Sequence, residues 1–366
     1  MGSLNILVVT PVFSIAGVPL AQQRFAQALA SRGHRVHLVI GHIDQHFAFQ
    51  PPEGLRVSVL GCNKVRKMFV PLLKLFRHEK PDIVFSAEDH LNIVVTAAAA
   101  FARTNAKISA SSRVTPFDTY SSVPFSKRWF LKQLARWVMP HAHVLSCVSK
   151  DMVFQYQRVF PGTRHVCIYN IVDDARSRAR ATQALHHSWF GDPDWPIVVA
   201  AGRLAPWKGF DHLIKAFAML RQRRQVRLLI LGDGPDRSAL QDQIDSNNLN
   251  DCVRLEGYVE NPLAFFSRAQ VFALSSRVEG MPNVLIEAMM CGCTPVATDC
   301  PTGPSEVLQS GRFGYLVPLA DVEAFAQALE KALDCPIPPA VLSEAVEPFN
   351  EKRVIDRHFD LLGVRG

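Results

Sequence analysis

The feature that most constrains the fold is a regular alternation of short apolar segments with longer amphipathic stretches. The first segment, NILVVT from Asn5 to Thr10, is followed by a loop with Gly17, an amphipathic stretch from Pro19 to Arg32, and a second apolar segment, RVHLVIG. A strand, a helix and a second strand in this order predict a βαβ unit with a right-handed crossover. The segments DIVFSA, AKISAS and HVLSCVS extend the pattern, which is typical of an α/β fold with a parallel sheet.

The alternation lapses once, in a polar, proline-bearing segment from Asp173 to Pro196, and then begins again. The second series contains PIVVAAG, VRLLILG, VRLEGY, AQVFALS, TPVATD and FGYLVP, with helix-like stretches between them. A chain of 366 residues is also longer than one hydrophobic core usually supports. We therefore expect two doubly wound, Rossmann-like domains, over residues 1–175 and 176–345, with a cleft between the carboxyl ends of their strands where ligands bind.

Composition excludes several other classes of protein. With 48% hydrophobic and 20% charged residues, the chain is typical of a soluble globular protein. No apolar run reaches the roughly 18 residues that span a bilayer, and no basic segment precedes the first apolar segment as in a secretory signal. The eight cysteines form no C-x-x-C pair, which favours reduced thiols over a zinc site. These features predict a cytoplasmic protein with reduced thiols.

Two cations lie at a predicted strand-to-helix turn in the segment AAGRLAPWKGFDHL. A strand ends at Gly202, Arg203 follows it, and Lys208 precedes the next helix. Two cations at such a turn are well placed to hold a diphosphate, although a solvated turn explains the spacing alone equally well. The nearby LLILGDGPD carries Gly232 in a G-x-G pair but lacks the third glycine of a dinucleotide fingerprint, which favours a tight turn.

Two carboxylates, Glu279 and Glu287, flank a glycine and a proline in EGMPNVLIE. Glu279 follows the predicted strand VFALS in a loop, and Pro282 suits the first residue of the helix that contains Glu287. Free backbone amides at this helix start suit a phosphate or a sugar hydroxyl, and we assign them to Met281, Asn283 and Val284. Glu287 can then accept hydrogen bonds from a ribose, and Glu279 from a sugar ring. An acid near a helix start is also favourable on structural grounds alone.

Five segments follow one another in a characteristic order: GRLAPWKGFDHLIKAF, LLILGDGPDRSAL, VRLEGYVENP, the segment with the two glutamates, and TPVATDCPTGPSEVL. Together they resemble the retaining glycosyltransferases of family 4, which have the GT-B fold. The resemblance is dense from Ile197 to Pro318. Over residues 1–180 it is thinner and rests on NILVVTP, Gly17, PDIVFSAEDH, CVSKDM and YNIVD.

The resemblance implies a role for each matching position. Arg203 and Lys208 would bind the donor pyrophosphate and stabilise charge on the leaving nucleotide, so that no metal ion is needed. Glu279 would hold hydroxyls of the transferred sugar, Glu287 would hold the ribose, and Gly17 would bring backbone amides to the phosphate. The remaining positions of the predicted nucleotide site are Gly232, Met281, Pro282, Asn283 and Val284.

The resemblance also implies an activity. The first domain would bind the acceptor, the second would bind the nucleotide sugar, and a C-terminal helix over residues 346–366 would cross back to the first domain. The expected reaction transfers a sugar with anomeric retention to a glycan or lipid-linked acceptor, in the synthesis of cell-surface polysaccharide or lipopolysaccharide. UDP is favoured as the nucleotide, with GDP, as in a mannosyltransferase, as the alternative. A nucleotide-sugar epimerase and a sugar-nucleotide-binding protein without turnover stay open, whereas an oxidoreductase is disfavoured because no loop carries the full glycine fingerprint.

Two positions depart from the family pattern. Ala16 stands before Gly17, where members often carry two adjacent glycines. The strand AKISAS leads to Ser112 and Arg113, where members often carry a histidine, and a guanidinium cannot act as a base near neutral pH. His90, after the preceding predicted strand, is a candidate substitute, although a loop histidine bonded to the backbone is the simpler interpretation.

The charge of the chain is unevenly distributed. Residues 1–180 carry 23 Lys and Arg against 10 Asp and Glu, whereas residues 181–366 carry 17 against 23. Two stretches of the front half combine cations with apolar residues, KVRKMFVPLLKLFRHEK from Lys64 and SKRWFLKQLARWVMP from Ser126. They suit an anionic membrane surface, or they are ordinary helices with solvated cations. We expect peripheral contact of at least one with the inner face of the membrane, and no nucleic acid, because no recognition motif accompanies the cations.

Overall fold

The computed structural model describes residues 2–13, 17–43, 51–52, 54–192 and 194–364. These residues form two compact units. The first comprises the chain up to Ile171 together with the segment from Glu351, and the second runs from Val172 to Asn350. Each unit contains one sheet, and all pairs of neighbouring strands in the described part of the chain are parallel. The predicted α/β fold with two Rossmann-like sheets is therefore confirmed.

The sheet of the first unit has seven strands in the order β3-β2-β1-β4-β5-β6-β7. The strands are β1 (Asn5–Phe13), β2 (Arg35–Ile43), β3 (Arg56–Val59), β4 (Ile83–Ala87), β5 (Lys107–Ser112), β6 (Val144–Cys147) and β7 (His165–Cys167). The helices between them are α1 (Gly17–Ser31), α2 (Phe69–Glu79), α3 (Asp89–Ala102), α4 (Pro116–Thr119), α5 (Lys127–Val138) and α6 (Lys150–Val159). β1 lies between β2 and β4, so that Ile6 is opposite both Val36 and Ile83.

Each face of this sheet has its own hydrophobic core. Successive side chains of a strand point to opposite faces, and accordingly Ile6 and Val8 belong to one cluster while Leu7 and Val9 belong to another. Helix α1 contributes to the first cluster, and helices α2 and α3 contribute to the second. Because helices cover both faces, the strands read in the sequence as continuous apolar runs.

The sheet of the second unit has six strands in the order β10-β9-β8-β11-β12-β13. The strands are β8 (Ile197–Ala201), β9 (Arg227–Leu231), β10 (Val253–Gly257), β11 (Val271–Leu274), β12 (Thr294–Thr298) and β13 (Tyr315–Val317). The helices are α7 (Ala175–Ala181), α8 (Phe210–Arg221), α9 (Arg237–Ser246), α10 (Pro262–Phe266), α11 (Asn283–Met290), α12 (Pro304–Val307), α13 (Val322–Asp334) and α14 (Pro339–Val346). β8 pairs with both β9 and β11, as β1 pairs with β2 and β4 in the first unit.

The last helix, α15 (Glu351–Leu362), belongs to the first unit. Its buried side chains, Ile355 and Phe359 among them, lie in the same cluster as Ile6. Asp356 accepts a hydrogen bond from Arg32 at 2.7 Å, and the carbonyl of Leu362 accepts one from the Lys107 ammonium. None of the helices that the structure describes is both long enough and apolar enough to span a membrane.

Two strands lie outside the predicted set, and both are at the edges of the first sheet. β3 has four residues and β7 has three, and neither is buried along its whole length. A short edge strand exposed on one side carries no continuous apolar run, so the sequence signal that identified the other strands is absent.

Candidate functional site

The strand order places a candidate site at the carboxyl ends of the central strands of the second sheet. β8 lies between β9 and β11, which is the point where the strand order reverses. In open α/β sheets, ligands bind outside the carboxyl ends of the strands at such a switch point. The loop after β8 carries Arg203 and Lys208, and the loop after β11 carries Glu279. The topology thus brings these predicted residues to one edge.

Gly209 allows these two loops to approach each other closely. Its φ is 64°, in the left-handed region that favours glycine, and a Cβ on it would lie 2.1 Å from the carbonyl oxygen of Ser275. The hydroxyl of Ser275 donates to the carbonyl of Lys208 at 2.9 Å. The short turn at Pro206–Lys208 is therefore fixed against the end of β11.

Lys208 and Glu279 form an ion pair. The ammonium nitrogen of Lys208 lies 2.6 Å from Oε1 of Glu279, and the two side chains are only 18% and 11% exposed. The Ser276 hydroxyl donates to the same Oε1 at 2.6 Å, and the Thr302 hydroxyl donates to the backbone carbonyl of Glu279. No described residue donates to Oε2, which leaves this oxygen of Glu279 for a ligand. The sequence motifs indicated separate roles for the lysine and the glutamate and did not predict their pairing.

Arg277 joins the same two loops and was missed by sequence analysis. Its backbone amide donates to the carbonyl of Trp207 at 2.7 Å, and its guanidinium donates to the carbonyl of Pro206. The guanidinium also reaches both carboxylate oxygens of Asp211, at 2.8 and 2.7 Å. Arg277 therefore holds the turn that presents Lys208. Only its position two residues before Glu279 hinted at this role.

The start of helix α11 differs in one detail from the prediction. The backbone amide of Asn283 donates to the carbonyl of Met281 at 2.9 Å, so the prediction that it is free was wrong. Pro282, with φ −78° and ψ 77°, is the central residue of an inverse γ-turn. In such a turn the amide of one residue bonds to the carbonyl two residues before it. The amides of Met281 and Val284 have no acceptor among the described residues. Glu287 lies in the second turn of the helix and is half-buried.

Arg203 and Gly232 complete the predicted set in the second unit. Arg203 is exposed just beyond β8, and no described residue forms an ion pair or hydrogen bond with its side chain. Gly232 has φ 131°, and a Cβ there would lie 2.0 Å from the carbonyl oxygen of Gly202. Its amide donates to the carbonyl of Gly257 at 2.7 Å. Gly232 therefore permits close approach of two strand ends, and its contact with a nucleotide stays a prediction.

The first sheet has its own switch point, between β2 and β4 on either side of β1. Gly17 begins α1 with φ 61°, and Ala16 lies outside the described residues. His90 is exposed in the first turn of α3, immediately after β4. No described residue bonds to the His90 side chain, so the structure does not show the backbone bond suggested as the simpler interpretation.

The position of the absent family histidine is occupied by a buried polar cluster. Ser112 donates to Asp89 at 2.5 Å, and the Tyr156 hydroxyl donates to the other carboxylate oxygen at 2.5 Å. Burial raises the pKa of Asp89, and the hydrogen bonds from Ser112 and Tyr156 oppose the rise. Arg113 donates to Asn170, and burial lowers the pKa of its guanidinium to about 10. No sequence motif indicated Asp89, which resembles an ordinary acid at a helix start.

Among the described residues, no three histidine, cysteine, aspartate or glutamate side chains are grouped so as to hold a metal ion.

Burial raises the pKa of the Cys300 thiol to about 12, and the nearby Glu279 carboxylate adds to the rise. This cysteine therefore stays protonated near neutral pH.

Comparison with known proteins identifies the family. Residues 17–176 match the profile of Glycosyltransferase Family 4, and residues 195–335 match that of Glycosyl transferases group 1. The chain belongs to this family of glycosyltransferases, as the sequence motifs predicted, and is a transferase.

Individual relatives agree with this assignment. An uncharacterized glycosyltransferase of Methanocaldococcus jannaschii is 26% identical over 277 residues, which cover 73% of this chain and 68% of the relative. A Campylobacter jejuni enzyme, N-acetylgalactosamine-N,N'-diacetylbacillosaminyl-diphospho-undecaprenol 4-alpha-N-acetylgalactosaminyltransferase, is 26% identical over 82% of each chain. The structure of Anabaena HepE in complex with UDP and glucose matches with a TM-score of 0.75 at 17% identity, over 98% of this chain and 99% of that one. This likeness confirms the predicted GT-B fold.

Proposed function

We propose that this glycosyltransferase moves a sugar from a nucleotide sugar, with UDP favoured over GDP, to a glycan or lipid-linked acceptor of cell-surface polysaccharide or lipopolysaccharide, with anomeric retention. The observation that carries the proposal is the Lys208–Glu279 pair beside the exposed Arg203 at the switch point of the second sheet. Two relatives support it. The Anabaena structure contains UDP and glucose, and the name of the Campylobacter enzyme specifies a diphospho-undecaprenol-linked acceptor.

In the proposed reaction, the bond between the anomeric carbon of the donor sugar and the phosphate oxygen breaks. The acceptor hydroxyl oxygen bonds to this carbon on the same face, and its proton passes to the departing phosphate oxygen. Arg203 and Lys208 place positive charge where the diphosphate gains negative charge, which takes the place of a divalent ion. Because Glu279 already orients Lys208, little reorganisation is needed when the diphosphate binds.

The two glutamates have different roles in this proposal. Oε1 of Glu279 is occupied by Lys208 and Ser276, whereas Oε2 is open to a hydroxyl of the donor sugar. Glu287 lies in a helix whose first amides face the diphosphate in the proposal, and its carboxylate accepts from the ribose. We expect Glu279→Ala to lose turnover while it keeps most of its nucleotide affinity, and Glu287→Ala to weaken nucleotide binding.

The first experiment is calorimetric titration of the purified protein with UDP, GDP and NAD, without added metal. Tight binding of UDP supports the proposal, binding of GDP alone changes the donor class, and binding of NAD alone or of none overturns it. Transfer of radiolabelled sugar to extracted bacterial glycolipids then identifies the donor, with UDP-glucose, UDP-galactose and UDP-N-acetylglucosamine tested in turn. Asp242→Ala, an exposed acid on α9, is the matched control for the glutamate variants. Equal transfer by the parent and both glutamate variants would contradict the assigned roles.

Contact with an anionic membrane is the second part of the proposal, and helix α5 supports it. Phe130, Leu134 and Trp137 recur at helical spacing on one face and are 55%, 50% and 79% exposed. Of the twelve residues of α5, all described, only Ala135 is buried. The exposed cations Lys127, Arg128 and Arg136 are interspersed with these apolar side chains. An unburied apolar stripe with cations suits the interface of an anionic bilayer.

The other basic stretch does not share this feature. Met68, Leu72 and Phe76 point into the core of the first unit, so that α2 and the turn before it pack as ordinary structure. We therefore place the membrane contact on α5, and the proposed location of the enzyme is the inner face of the cytoplasmic membrane. This contact would bring the enzyme close to a lipid-linked acceptor.

Sedimentation with phosphatidylglycerol vesicles and with phosphatidylcholine vesicles tests the contact. We expect binding to the anionic vesicles that falls with added salt, and a clear loss of it in Trp137→Ser. Phe101→Ser removes an exposed aromatic side chain from α3, outside this surface, and is the control. Equal binding to both vesicle types, or equal binding by Trp137→Ser and the parent, would contradict the proposal.

A further inference from the structure

Glu88 occupies a position in the first sheet that corresponds to that of Glu279 in the second. Glu88 directly follows β4, the strand beside β1 at the switch point of the first sheet. Glu279 lies in the loop after β11, the strand beside β8 at the switch point of the second. The carboxyl ends of strands at a switch point are where open α/β sheets bind ligands. A carboxylate is therefore present at the ligand-binding edge of each sheet.

The backbone of Glu88 adopts a conformation that disfavours a side chain. Its φ is 82° and its ψ is 132°, a region that glycine enters readily and other residues rarely do. The conformation is fixed on both sides: the amide of Glu88 donates to the carbonyl of Ser111 at 3.0 Å, and its carbonyl accepts from the amide of Asn92 at 2.8 Å. Strained residues of this kind concentrate at active sites and ligand-binding sites. A glycine would satisfy the backbone here, so the glutamate side chain needs another explanation.

The carboxylate of Glu88 has no hydrogen-bond or ion-pair partner among the residues that the structure describes. The side chain is half-buried. Burial raises the pKa of Glu88, and the Arg113 guanidinium after the neighbouring strand opposes the rise. The adjacent Asp89, by contrast, receives hydrogen bonds from Ser112 and Tyr156. A half-buried carboxylate that no described residue bonds is available to a ligand that supplies a hydrogen-bond donor.

We propose that Glu88 contacts the substrate directly and that its carboxylate accepts a hydrogen bond from a hydroxyl group of the sugar acceptor. The proposal rests on the proposed function. A hydroxyl fits better than the donor diphosphate, because a carboxylate attracts a hydrogen-bond donor and repels a phosphate. Glu88 thereby replaces His90 as the acceptor-contacting residue of this region, since the backbone strain and the half-buried carboxylate belong to Glu88, whereas His90 is exposed in a regular helical turn.

Three substitutions separate the roles of the side chain and the backbone. Glu88→Gln keeps the shape and removes the charge, Glu88→Ala removes the carboxylate and keeps the strain, and Glu88→Gly removes both. Asp151→Asn changes an exposed acid in the first turn of α6 and is the control. Each variant is assayed for sugar transfer from UDP-sugars to extracted glycolipids, for UDP release without acceptor, and for thermal unfolding.

We expect Glu88→Gln to lower the kcat/KM for the glycolipid acceptor by roughly 10- to 100-fold, the effect of a lost charged hydrogen bond. UDP release without acceptor stays within about twofold of the parent, because this step uses no acceptor hydroxyl. Glu88→Gly melts about 2–4 °C above Glu88→Ala, because glycine relieves the strain. Asp151→Asn matches the parent in all three assays.

Several results would overturn the inference: transfer by Glu88→Gln at the parent rate, an equal loss of transfer and of acceptor-free UDP release, or no difference in melting between the glycine and alanine variants. The failure of the proposed function has a different signature. It appears in the parent protein itself, as absence of UDP binding and of transfer.

Discussion

The Lys208–Glu279 pair is the contact on which the site depends, and a double-mutant cycle tests it. Lys208→Met and Glu279→Gln are made singly and together. Each single change leaves one charged group partly buried without its partner, whereas the double variant leaves two neutral groups. The losses of stability of the two single variants are therefore expected to add up to more than the loss of the double variant.

The geometry sets the expected size of the coupling free energy. At 2.6 Å and an effective dielectric constant of about 20, the gross attraction is roughly 6 kcal/mol. Removal of both groups from water offsets most of it, since the side chains are only 18% and 11% exposed. We expect a net coupling of about 2 kcal/mol.

The assay is urea unfolding of the four proteins, followed by fluorescence. Arg312 and Glu344 provide a control cycle in the same unit, because they are 2.7 Å apart but 57% and 56% exposed. An exposed pair of this kind is expected to couple by about 0.5 kcal/mol. If the two cycles gave equal coupling energies, the inference that burial makes Lys208 and Glu279 one cooperative element would be refuted. In UDP titrations, Lys208→Met should weaken binding, and Glu279→Gln should keep it, because the lysine is released toward the diphosphate.

Three further predictions concern the same framework. Gly209→Ala, whose new Cβ would lie 2.1 Å from the Ser275 carbonyl oxygen, is expected to destabilise the second unit by about 2–4 kcal/mol in urea unfolding; an unchanged midpoint would contradict the close approach. Arg277→Met is expected to reduce sugar transfer at least tenfold, because the loop at Trp207 is released. Arg277→Lys should restore only part of the activity. Full activity of the methionine variant would show that the contacts of Arg277 with this loop are dispensable. Burial lowers the pKa of His358 to about 3, so below about pH 6.5 the unfolded chain binds a proton that the folded chain does not. As the pH is lowered from there, the free energy of unfolding decreases by about 1.4 kcal/mol for each pH unit. His358→Leu should remove this contribution between pH 6.5 and 4.5, and an unchanged pH slope would be evidence against it.

Local sequence features were sufficient to predict most elements of the fold. Each buried parallel strand is a short apolar run, and each helix shows apolar residues at helical spacing, so both signals lie within a few neighbouring residues. The edge strands β3 and β7 escaped because they are three or four residues long and only partly buried. The positions of Arg203, Lys208 and Glu279 near strand ends also followed from the sequence, because each lies in the loop after a predicted strand.

What the side chains contact was decided by the tertiary structure. Lys208 and Glu279 are 71 positions apart, and they meet because β8 packs beside β11, which no local pattern specifies. The exposure of Trp137 was equally hidden, since an amphipathic helix has the same sequence whether its apolar face is covered or not. The sequence of this glycosyltransferase thus determined its strands, helices and family. Strand order and packing determined which charges are paired and where the backbone of Glu88 is strained, because these depend on neighbours that are distant in the chain.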